Sequence, residues 1–404
     1  MGRRKNVLGG TLLAIVLLGG FAVAACAQIL GVEPLQNAPD AGADVAPPVD
    51  AGPEACVFVH PPTAPDGGDD DGGLSGLLAL RTAVLGLEKA STVDIGWDLD
   101  DHCTCADTVR PESCVRATGA GPETCDKSGG RDLTGNATIL QANFVYNGIS
   151  DTNLQKQLDL GKFGQLVAIR NYNGLPDDPK VRIDLAPSYG TILTNDAGVP
   201  ILNGSGFLQN APLKHDGADR WGYVPPYASK TVDGLIDGVA RDDNAYVKGG
   251  VAVAHFPVAY VTVQFDVGNS NPLVFRIVDV VVAAKVNVGD GGAITLSEGR
   301  LGGRVRIQDM MDSFLVWEDP IDGPSVCPGK GLYEIIRTGI CKNRDVRGAR
   351  AEDGKNLPCD AISFALGFAA EPGLVYGSVG YVYKPTQCWD GGLPTGPANG
   401  NPCP

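Results

Sequence analysis

The chain has 404 residues, a formal net charge of −15, 43% hydrophobic residues and only 6% aromatics. That balance argues against nucleic acid and against docking on anionic lipid, because both need basic patches, and it implies an aliphatic core. With 55 glycines and 29 prolines, many turns and few long helices are expected.

Met1 to Lys5 is basic, Val7 to Ala25 is apolar, and Val23-Ala24-Ala25-Cys26 follows. A basic start, an apolar run and small residues before a cut mark an export signal, here 1–25. The order aliphatic-small-small-Cys resembles the lipobox of bacterial lipoproteins. That resemblance implies a diacylated Cys26, cleavage before it, and a chain held to the membrane by two or more acyl chains, enough for stable anchoring. Ala27, where an Asp would signal inner-membrane retention, implies the outer membrane or cell surface. Two other readings stay open: cleavage after Ala27 to release a secreted chain, and an uncleaved membrane helix. Residues 26–73 then form the lipidated N-terminus and a Pro/Gly/Asp tether. Asp66 to Asp71 lacks the spacing of an EF-hand loop and reads as solvated linker.

The eleven cysteines make an odd set. With Cys26 assigned to lipid, Cys56, Cys103, Cys105, Cys114, Cys125, Cys327, Cys341, Cys359, Cys388 and Cys403 remain, an even set suited to disulfides in an oxidising compartment. The expected local bridge is Cys327 to Cys341. The competing scheme pairs Cys341 with Cys359 and leaves Cys327 for Cys388 or Cys403.

From Leu74 onward, elements follow in order. Leu77 to Leu87 is apolar and ambiguous. Val93 to Leu99 alternates like a strand. Cys103 to Cys125 is a loop cluster, and Leu154 to Leu160 a short turn. Gln165 to Tyr172 and Lys180 to Leu185 read as strands around a turn-rich link. Ala245 to Phe256, Tyr260 to Val267, Leu273 to Val288 and Ile294 to Val305 are β-branched runs. Ile307 to Trp317 carries Met310, Met311, Phe314 and Leu315 at helical spacing, and Gly331 to Gly339 and Ala361 to Ala369 are shorter helical candidates. Leu374 to Tyr383 reads as a last strand. Strands joined by turns predict antiparallel pairing in a sandwich or barrel. The expected form is a mainly β, jelly-roll-like sandwich over 74–404, with a disulfide-bridged helical insertion at 305–370.

Trp97-Asp98-Leu99-Asp100, Cys103-Thr104-Cys105, Ser113-Cys114 and Cys125-Asp126-Lys127-Ser128-Gly129-Gly130 follow the lipobox and tether. Together with Tyr172 to Pro179 and Pro358 to Phe364, they resemble cysteine-containing surface lipoproteins of myxobacterial type, a group without an assigned activity. The likeness covers most of the chain beyond the signal and implies address and fold, but no chemistry.

No catalytic motif stands out. His60, His102, His215 and His255 form no zincin pattern. The spacing of Cys103, Cys105, Cys114 and Cys125 does not match two zinc knuckles. Neither a nucleophile elbow nor a phosphate loop occurs. No cofactor and no metal are expected. Asp98 with Asp100, Asp177 with Asp178, and Asp242 with Asp243 are pairs of the type a glycosidase uses, although most sit at turns. Trp221, Tyr223 and Tyr227 are the candidate ligand-binding aromatics. The leading expectation is a non-catalytic envelope module that binds a glycan or a surface protein. The alternatives are a polysaccharide hydrolase using paired aspartates and a purely structural envelope protein.

Overall fold

The computed structural model describes residues 58–67, 72–87, 94–105, 112–144, 146–202, 208–266, 272–315, 317, 326–329, 331–379 and 403. The expected export signal, Cys26, Cys56, Cys388 and most of the expected tether lie outside the described residues.

The strands are β1 (Leu74–Val84), β2 (Gly164–Tyr172), β3 (Asp178–Thr191), β4 (Arg220–Tyr223), β5 (Ala228–Lys230), β6 (Ile236–Gly238), β7 (Ala240–Lys248), β8 (Val251–Val263), β9 (Leu273–Val288), β10 (Ile294–Arg306), β11 (Ala361–Pro372) and β12 (Leu374–Ser378). The helices are α1 (Thr134–Gln141), α2 (Asp151–Asp159), α3 (Ile307–Phe314) and α4 (Gly331–Lys342).

Eight strands close a ring in the order β3-β2-β1-β11-β10-β9-β8-β7, and β7 returns to β3. Every pairing in the ring is antiparallel. Closure rests on β3, whose 14 residues divide one edge between two partners. Asp178 to Leu185 pair with Val247 to Ala240 of β7, whereas Ser188 and Thr191 pair with Tyr223 and Trp221 of β4. The parallel strand β12 extends the β4 branch.

The expected jelly-roll sandwich is therefore corrected to a barrel. Both architectures bury alternate residues, so both give the same period-2 pattern; what separates them is the non-local contact of β3 with β7. Inward residues such as Leu273, Phe275 and Ile277 of β9 and Ala259, Val261 and Val263 of β8 have no exposed area. The aliphatic bias of the composition thus appears as barrel filling.

Ala361 to Ala369 is also corrected, from helix to the central strand β11. Its misleading look has a cause. α1 lies over its outer face: Thr134 donates its backbone N–H to Ser363 Oγ (2.8 Å), and Asn136 grips Ala365. With both faces covered, the strand loses its polar alternation. Helices α3 and α4 do occupy the link between β10 and β11, so the helical stretch ends before β11 rather than at residue 370.

Three described disulfides are Cys105–Cys125, Cys114–Cys359 and Cys341–Cys403, with Cα separations of 5.4, 5.1 and 5.5 Å. Cys103 and Cys327 are disulfide-bonded as well. Neither expected partner of Cys341 is correct. α4 has 12 residues, and Cys327 precedes it while Cys341 lies at its end. A helix of that length spans about 18 Å, far beyond the roughly 4.4–6.8 Å that a disulfide bridges.

Asn136 ties α1 to the barrel. Its Nδ2 donates to Leu85 O and Ala365 O, both at 2.7 Å, and its Oδ1 accepts from Ala365 N at 3.0 Å. Asn136→Ala leaves these buried groups unpaired, so it is expected to destabilise the fold by about 2–4 kcal/mol. Urea unfolding checks this, and a loss below about 0.5 kcal/mol contradicts it.

Candidate functional site

The segment from Asp94 to Cys105 crosses the barrel surface beside β10 and β11. It is not the strand that its alternation suggests, because Gly96 adopts φ +83°, and a Cβ there would lie 2.8 Å from Leu133 Cδ2. The chain turns at that point and buries Asp98 and Asp100. Cys105–Cys125 holds this segment to the loop that carries Asp126 and Asp132. Cys114–Cys359 brings in the chain just before β11.

Five carboxyl groups converge. Asp98 Oδ1 accepts from the backbone N–H groups of Asp100 (3.2 Å) and Asp101 (2.7 Å). Asp100 Oδ1 accepts from His102 N (3.0 Å), and its Oδ2 accepts from Ser113 Oγ. Asp132 Oδ2 accepts from Leu99 N (2.8 Å), while Asp126 Oδ2 accepts from Thr104 N (2.6 Å). Asp345 accepts from Ser363 through both oxygens, Oδ1 from N at 2.9 Å and Oδ2 from Oγ at 2.5 Å. Asp98, Asp100, Asp132 and Asp345 are buried. Gly130, at φ +69°, is required here, since a Cβ would lie 2.8 Å from Asp98 Oδ2.

Burial and mutual repulsion push these groups up. Burial first, then Asp100, raises Asp98 to about 7. Burial, then repulsion by Asp100, raises Asp126 to about 8. Burial is the main cause at Asp345, which reaches about 6 despite hydrogen bonds from Ser363. Asp132 is raised by burial and by repulsion from Asp100, Asp126 and Asp345. Burial raises Asp100 against the hydrogen bond from Ser113.

The nearest buried cation is Arg304 of β10, and it is already engaged. It forms a two-pronged pair with Asp353 (2.8 and 2.6 Å) and donates to Arg347 O (2.9 Å) and Leu99 O. One oxygen from each of Asp98, Asp100 and Asp132 lies within 4.8 Å of the others, a spacing that suits a metal ion.

Asp98 also reaches a cleft of about 210 Å³, walled by His60, Trp97, Tyr246, His255, Asp279 and Arg350. Residues 58–63, expected as part of the tether, help build it. Val59 pairs with Gly129 and Asp98 through the backbone (both 3.1 Å), Tyr246 Oη donates to Pro62 O (2.6 Å), and His60 sits 3.3 Å from Asp101. Arg350 also contacts Asp101 (3.2 Å), and the Arg300 guanidinium lies 5.7 Å from the Trp97 ring centre.

The aromatics singled out from the sequence are placed differently. Trp221 is 2% exposed and packs against Gly164 and Gly373. Tyr223 is half-buried, and Tyr227 stacks on Tyr260 with ring centres 4.2 Å apart. They form no open platform, because Trp221 faces the core where β4 joins β3. Of the aspartate pairs, only Asp98 and Asp100 enter a cluster. Asp177 bonds Lys248 and Gly249, Asp178 bonds Asn173 and Lys180, Asp242 bonds Asn244 and His255, and Asp243 pairs with Arg182 and Arg241. Asp126, Asp132 and Asp345 were missed. The usable signal was the position of Asp126 beside Cys125 and of Asp132 in Gly129-Gly130-Arg131-Asp132.

Comparison with family models, curated proteins and solved structures finds no match.

Asp98, Asp126 and Asp345 hold protons in the folded chain that the unfolded chain releases near pH 4. Stability in a chelating buffer is therefore greatest at low pH from these groups, and it falls as pH rises from about 4 to about 8. Asp126→Asn removes the highest of these transitions, so its melting temperature should decline less than the wild type's over that range. Parallel curves for the two proteins would contradict this assignment.

Proposed function

We propose that this chain is a lipid-anchored envelope protein whose barrel carries a non-catalytic cleft for a glycan. The address rests on the basic-apolar start, the Cys26 box and the resemblance to surface lipoproteins. It is supported by the bridged state of eight of the cysteines, which fits an oxidising compartment. Among the described residues no helix is long and apolar enough to cross a membrane; the anchor in this reading is the lipid on Cys26.

The glycan reading is carried by one observation. The cleft sets Trp97 and Tyr246 beside His60, His255, Asp279 and Arg350. Trp97 is buried beneath the cleft, whereas half-buried Tyr246 offers apolar surface to a sugar ring, and the polar groups pair with its hydroxyls. His60, His255 and Arg350 are exposed, so a ligand meets them without unfolding the site. By contrast, the cavity of about 170 Å³ among α1, α3 and α4 has no charged residue in its lining.

Two measurements test the reading. Mass spectrometry of the processed chain is expected to show acylated Cys26 as the first residue, and Cys26→Ser should abolish membrane association. An unmodified N-terminus at Gln28 contradicts the anchor. A glycan array probed with the full chain should retain a defined class of sugar, and His255→Ala or Tyr246→Ala should weaken it tenfold or more. Retention of nothing, or release of shortened sugars, overturns non-catalytic glycan binding.

A further inference from the structure

We propose that Asp98, Asp100 and Asp132 form a buried calcium site beside this cleft. The first argument is spacing. Two oxygens on opposite sides of a calcium ion, each about 2.4 Å from it, are about 4.8 Å apart. The three carboxylates each supply an oxygen within 4.8 Å of the other two. From that spacing, small side-chain adjustments bring all three oxygens onto one ion.

The second argument is independent of the first and concerns two orphaned atoms. Asp98 is 4% exposed and Asp132 1% exposed. Asp98 Oδ2 and Asp132 Oδ1 are buried with no hydrogen-bond partner. The opposite oxygen of each is held by backbone N–H groups, which leaves Asp98 Oδ2 and Asp132 Oδ1 as the oxygens free to take a ligand. An unpaired buried carboxylate oxygen is costly, and a cation is the partner these two lack.

The third argument selects the ion. The donors are all carboxylate oxygens, which suit hard cations. Cys103, Cys105, Cys114 and Cys125 are in disulfides, so no thiolate among them is left to favour a softer metal. Arg304 is taken by Asp353. Magnesium needs a tighter, near-ideal octahedron and keeps several waters, whereas calcium tolerates the irregular set that two loops supply. Asp98 borders the cleft, which gives water and the ion a way in.

A hydrogen bond between the Asp126 and Asp132 side chains, which holds Asp126 down against burial, requires a proton on one of them. That proton is the rival occupant, and the experiment separates it from calcium.

The full chain is stripped with EDTA, exchanged into buffer at neutral pH, and titrated with calcium alone. Calcium should raise the melting temperature by roughly 5 °C at a hundredfold excess over Kd. Terbium should bind in its place and luminesce on tryptophan excitation, because Trp97 adjoins Asp98, and calcium should quench that signal by displacement. Asp98→Asn and Asp132→Asn keep the side-chain shape but remove charge. Each is expected to melt higher than the wild type in EDTA and to lose the calcium response. Trp97→Phe should keep the calcium-induced shift and lose most of the luminescence. A stripped wild type that millimolar calcium leaves unchanged overturns the site in favour of the shared proton. A calcium shift that survives in both variants places the ion elsewhere and also overturns it. No glycan enters the experiment, so its outcome is separate from that of the glycan reading.

Discussion

Five carboxyl groups cannot stay charged in one nearly dry volume without compensation. This constraint organises the surface loops. Asp98 closes a turn through Asp100 and Asp101, Asp132 holds Leu99, Asp126 holds Thr104, and Asp345 holds Ser363 on β11. The acids are thus the knot that joins two loops to the barrel wall. Whatever neutralises them decides whether the knot is tight. The bridges Cys105–Cys125 and Cys114–Cys359 keep its strands together, but they do not supply positive charge.

The barrel gives the knot a rigid base. The contact of β7 with β3 closes the ring, and β7 joins β8 through a short ladder from Tyr246–Val253 to Lys248–Val251. β11 lies near the middle of the ring order and receives α1, Asn136 and the Asp345–Ser363 pair on its outer side. The cleft follows from this layout. Asp279 and Val281 of β9 and His255 of β8 give it a floor of regular structure, while residues 58–63 and the Trp97 segment fold across as walls.

Much of the barrel was legible because its strands are long and β-branched. Leu273 to Val288 is bounded in the structure as its composition suggests, and Ile294 to Val305 falls one residue short of the observed end. Pairing was not legible, since nothing near β3 announces that β7 will return to it. Ala361 to Ala369 misled because a covering helix removed the polar alternation. Val93 to Leu99 misled because a glycine with positive φ sits inside an otherwise strand-like pattern. The site was half legible. Asp98 and Asp100 are visible as a pair, but Asp345 is far along the chain and joins them only through the fold. Trp221 looked like a ligand platform because aromatics beside Pro and Asp resemble an exposed loop; its place in β4 sends it inward instead.

The central claim is that a calcium ion neutralises the knot. It is tested most directly by crystals grown with calcium and measured for anomalous scattering. The account predicts a single peak about 2.3–2.6 Å from one oxygen each of Asp98, Asp100 and Asp132. A map without that peak, with the Asp126 and Asp132 carboxyls in hydrogen-bond contact, would contradict it.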